Sequence, residues 1–72
     1  LQEAKYGPIL SKIKENEENL HFKEAEELLF QLLSEAPQEP NFYLKLGQLY
    51  MKRKQFDKAI LFYLKGLHLA PH

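Results

Sequence analysis

Cysteine does not occur in this chain. That removes a disulfide framework, a thiolate metal site and a cysteine nucleophile, and it leaves the compartment open because secreted proteins can also lack cysteine. No apolar run approaches the roughly 18–20 residues that cross a bilayer, so membrane insertion is not expected. Net charge is absent too, with ten Lys and Arg against ten Asp and Glu. The three glycines, Gly7, Gly47 and Gly66, form no phosphate-binding loop. The histidines His21, His68 and His72 share no metal-ligand spacing, and Ser11 and Ser34 have no base within helical reach. These shortages weigh against an enzyme, and no cofactor is expected.

What is present describes a small soluble helical domain. The chain has 72 residues, 44% of them apolar and 28% charged, enough for one core and no second. The balanced charge hides a segregation. Residues 1–39 carry nine Glu and four Lys, for a net of −5, whereas residues 40–72 carry five Lys, one Arg and one Asp, for +5.

Two stretches share punctuation at one fixed offset. Phe22 recurs as Phe56, Ala25 as Ala59, and Ala36-Pro37 as Ala70-Pro71. Each is rich in Leu, Ala, Glu and Lys, repeats apolar residues every three or four positions, and stops at a proline that cannot continue a helix. The spacing predicts helices over 22–35 and 56–69. Between them, Phe42, Leu46, Leu49, Tyr50 and Arg53 predict a helix from Asn41 to Arg53 after Pro40. A further helix is expected from Pro8 to about Asn19, with Ile9, Ile13 and Leu20 on its apolar side. No segment alternates with period two, so the fold is expected to be all-α, with short links near Leu20 and Lys54 forcing antiparallel hairpins.

The repeat length and landmarks resemble the tetratricopeptide repeat family, whose helix-turn-helix unit takes about 34 residues. In residues 40–72, Tyr43 stands at the large aromatic, Leu46-Gly47 at the Leu-Gly pair, and Tyr50 at the following Tyr. Ala59 stands at the small position, Tyr63 at the next aromatic and Pro71 at the closing Pro. Residues 6–39 match through Ala25, Leu29 and Pro37. There Ile9 replaces the aromatic, Lys12-Ile13 stands at the Leu-Gly pair, and Leu32 occupies a usually small position. Gly47 and Ala59 are read as small because paired helices approach closely there, with Tyr43, Tyr50 and Tyr63 filling the surrounding space. Residues 1–5 would be the tail of a preceding element, 6–39 a first repeat with a divergent first helix, and 40–72 a second.

The resemblance implies right-handed superhelical stacking and a non-catalytic module that binds a protein, as a peptide or helix, in the groove formed by the first helix of each repeat. The family's groove positions project onto Leu10, Lys14, Glu17 and Glu18, and onto Asn41, Leu44, Gln48, Met51 and Lys52. Leu10 and Lys14 replace a Lys and an Asn of the carboxylate-clamp subclass, which argues against chaperone-tail binding.

A second surface is expected on the last helix. Ile60, Phe62, Tyr63 and Leu67 would face the core, while Leu61 and Leu64, with Phe30 as the first-repeat counterpart of Leu64, would lie outside. Phe30, Ile60, Leu61, Leu64 and Leu67 thus form a candidate convex or end interface, to be covered by a following helix or used in self-association. With an open end at Ile60, Leu67 and Leu69 and oppositely charged halves, a homo-oligomer stacked head to tail is expected. The basic run Met51-Lys52-Arg53-Lys54, with Lys45, Lys58 and Lys65, is the best case for nucleic acid and ranks below a solvated helix end.

Overall fold

The structure, a computed structural model, describes residues 3–70. Four helices follow one another: α1 (Glu3–Glu18), α2 (Phe22–Glu35), α3 (Pro40–Lys52) and α4 (Phe56–Leu69). No strand occurs among the described residues, so the chain is all-α and built of two helical hairpins. The bounds of α2 and α4 are those the periodicity predicts, and α3 differs by one residue at each end. Pro71 lies outside the described residues, as do Leu1 and Gln2 of the expected tail.

α1 departs most from expectation, beginning at Glu3 rather than near Pro8, which places Pro8 inside the helix. An interior proline removes one backbone hydrogen bond and crowds the preceding turn. The compensation is tertiary. Tyr6, upstream of the expected start, is buried with its ring edge-on to Phe42 at 5.5 Å and 87°. Leu20 also departs from its expected face: it belongs to the turn and is 71% exposed.

Both hairpin turns close in the same way. Leu20 and Lys54, at equivalent places in the two repeats, have left-handed φ values of 64° and 61°. In the first turn the amide of Leu20 donates to the Glu17 carbonyl (3.1 Å) and that of His21 to Asn16 (2.7 Å). In the second, Lys54 donates to Met51 (3.0 Å) and Gln55 to Tyr50 (2.9 Å). These paired bonds are the Schellman arrangement, which satisfies carbonyls that a helix end leaves free. The repeat therefore extends to individual backbone hydrogen bonds, through a position that neither turn fills with glycine.

One core runs through both hairpins, with Leu29, Leu32, Leu46 and Leu49 fully enclosed. Each such burial contributes roughly 1.5–3 kcal/mol before conformational entropy is counted. The hairpins reach this core by different divisions of volume. In the second, Gly47 and Ala59 are buried and Tyr63 lies over Gly47. In the first, the equivalent positions hold Ile13, Ala25 and Leu29, all buried. A large-on-absent pair is thus exchanged for two medium side chains, a change that cores accept when total volume is kept. Gly66 similarly admits Leu44, whereas the first hairpin has Leu32 and Leu10 at these places. α3 and α4 pack most extensively, as two glycines at their contact allow.

Candidate functional site: the groove between α1 and α3

Tyr6 meets Phe42 near the starts of α1 and α3, and Glu17 meets Lys52 near their ends. The two helices therefore run in the same direction, with α2 behind them. Between their open faces lies a groove of about 300 Å³ lined by Leu10, Ser11, Ile13, Lys14, Glu17, Lys45 and Gln48. Ile13 is buried and Leu10 half-buried, so they form an apolar floor. Lys14 and Gln48 are exposed and Lys45 is half-exposed, so they form a polar rim.

Of the residues projected onto a groove from sequence, Leu10, Lys14, Glu17 and Gln48 line it. Lys52 stands at its end, where its Nζ donates to Glu17 Oε1 at 3.0 Å. Asn41, Met51 and Glu18 do not line it. Leu44 turns the other way and packs on Gly66, because a missing side chain on α4 leaves room there. Lys45, Ser11 and Ile13 line the groove without having been projected onto it. The signal for Lys45 was legible: Asn41, Lys45, Gln48 and Lys52 follow a four-three-four spacing and share one face of α3.

Behind the groove a polar cluster joins the hairpins. Glu26 on α2 accepts hydrogen bonds from the Tyr50 hydroxyl and from Arg53 Nη1, the latter at 3.0 Å. Burial tends to raise the Glu26 carboxyl, but the hydrogen bonds from Tyr50 and Arg53 and the charges of Arg53 and Lys58 outweigh it and hold it below 4.5. The same burial, with the bond to Glu26 and its charge, pushes the Tyr50 phenol up to about 12. Tyr50 also stacks on Phe62 of α4 at 5.4 Å and so ties α3 to both α2 and α4.

The two ion pairs among the described residues, Lys52 with Glu17 and Arg53 with Glu26, join the acidic half of the chain to the basic half. Part of the segregated charge is thereby used within the molecule. Four of the basic residues are correspondingly engaged: Lys52 and Arg53 face carboxylates, while Lys58 and Lys65 lie over the rings of Tyr50 and Tyr43.

The expected division of the last helix needs one correction. Phe62 and Tyr63 turn inward, but Ile60 and Leu67 do not face the core. Together with Phe56, Leu61 and Leu64 they are 52–65% exposed. Ile60 and Leu67 follow the buried Ala59 and Gly66 by one residue, which at 3.6 residues per turn places them about 100° round the helix. Phe30 is 42% exposed and leans edge-on against Phe62 at 6.1 Å. No helix among the described residues is long and apolar enough to cross a membrane.

Two antiparallel hairpins in tandem, built on one repeated pattern and with a trough between their first helices, define a helical-repeat scaffold. The chain belongs to the tetratricopeptide repeat family, whose model matches residues 18–72. Repeats of this family are in general protein–protein interaction modules. The chain is similar to cell division cycle protein 27 homolog A of Arabidopsis thaliana, with 38% identity over 50 residues, 69% of this chain. It spans 7% of that relative's length. No solved structure matches it.

Proposed function

We propose that the chain is a non-catalytic interaction module that holds a peptide or helix of a protein partner in the groove between α1 and α3. The supporting observation is that groove's lining, an apolar floor of Leu10 and Ile13 bordered by the donors Lys14, Lys45 and Gln48. Its volume of about 300 Å³ lies at the small end of ligand-binding sites and has room for a few side chains. Screening a peptide array against the whole chain, then repeating the hits with Leu10→Asp and Gln48→Ala, tests this reading. Groove variants should lose the hits while circular dichroism stays unchanged. Hits that survive them but vanish with Leu61→Ser would move the binding surface to α4.

A second reading, self-association through α4, is favoured by the exposed apolar side chains Phe56, Ile60, Leu61, Leu64 and Leu67. It predicts concentration-dependent mass in light scattering. A monomer at high concentration, unaffected by salt, removes it.

A further inference from the structure

The charges of the groove are unevenly committed. Its one carboxylate, Glu17, is already bonded to Lys52 at 3.0 Å. Its two cations come from different helices, Lys14 from α1 and Lys45 from α3. Among the described residues neither lies in an ion pair or over an aromatic ring. By contrast Arg53 is paired with Glu26, and Lys58 and Lys65 lie against tyrosines. Two uncommitted ammonium groups therefore border an apolar floor whose only anion is neutralised.

Resting on the groove reading above, we infer that the partner is an acidic peptide in which a carboxylate side chain lies close to an aliphatic one. The aliphatic group covers Leu10 and Ile13, and the carboxylate is held between Lys14 and Lys45. The Gln48 amide, carrying both donors and an acceptor, serves the peptide backbone. A cationic peptide meets like charge on both walls, so selectivity comes from repulsion as much as attraction. A nucleic-acid backbone fits less well, because it is anionic but offers no aliphatic group to the floor.

Three acetylated nonapeptides test the inference by fluorescence anisotropy on the whole chain. In all three Leu alternates with a second residue, which is Glu, Gln or Lys. The Glu peptide should bind at least about tenfold more tightly than the Gln peptide, the scale of one charge-assisted contact. Its binding should weaken with added salt, and the Lys peptide should not bind. The Lys14→Glu, Lys45→Glu double variant should reverse the order of the Glu and Lys peptides. Lys23→Glu, on the exposed surface of α2, controls for general charge and should change little. Equal binding of Glu and Gln peptides overturns the acidic preference while leaving the groove reading in place. Equal weakening by Lys23→Glu overturns it as well. No binding of any peptide overturns both. A single-stranded oligonucleotide that competes at the same site replaces the peptide with a polyanion.

Discussion

Tyr63 fills the space that a side chain on Gly47 would need. A Cβ built on Gly47 would lie 2.9 Å from the Tyr63 ring, closer than real contacts allow, and the obstacle is a planar ring rather than a flexible tip. Gly47→Ala should therefore destabilise the chain. Overpacking costs about 1–3 kcal/mol, against a gain of about 1 kcal/mol from replacing a helical glycine. With Tyr63→Leu in the background the obstacle goes, and Gly47→Ala should become stabilising. Urea midpoints of the two single variants and the double variant check this change of sign. Additive effects would show that the two residues do not meet.

The left-handed turn residues offer the opposite case. Leu20 and Lys54 hold a conformation that L side chains adopt at a cost and that glycine adopts freely. Leu20→Gly and Lys54→Gly should each raise stability by up to about 1 kcal/mol, read as thermal midpoints. A fall in either would mean that its side chain makes a contact worth more than the strain.

The Glu26–Tyr50 pair makes stability depend on pH at both extremes. Glu26 titrates below 4.5 in the folded chain, so its contribution is present above that value and lost as acid protonates it. Tyr50 is raised from 10.0 to about 12, so its contribution is complete below pH 10 and disappears between pH 10 and 12. Tyr50→Phe should cost about 1–3 kcal/mol near neutrality, by removing a hydrogen bond to a carboxylate, and should flatten both limbs. Denaturation series across pH for the two proteins provide the comparison. Parallel curves would place the pH dependence elsewhere.

Lys52 separates stability from recognition. Its side chain is 53% exposed, so Lys52→Ala should cost less than about 1 kcal/mol. The same change leaves Glu17 unpaired in the groove, so binding of the Glu-containing peptide should fall although Lys52 need not touch it. Glu17→Gln in addition should restore that binding. Failure to restore would mean that Lys52 contacts the peptide itself.

Leu33 and Leu67 show where local pattern and assembled structure part company. They occupy the same place in the two repeats, and both belong to amphipathic helices that the spacing of Ala, Leu and Pro marks out. Leu33 is buried and Leu67 is 62% exposed. The difference lies outside either helix: α3 packs against α2, and no described helix follows α4 to do the same. Periodicity and breakers act within about ten residues of chain, so the helices, the turns near Leu20 and Lys54 and the repeating unit could be read directly. Contacts between distant residues decided the rest. Phe42 buries Tyr6 and carries α1 back past Pro8, Gly66 draws Leu44 away from the groove, and Lys52 neutralises Glu17 across it. Each depends on which side chains meet after folding, and spacing along the chain does not encode that.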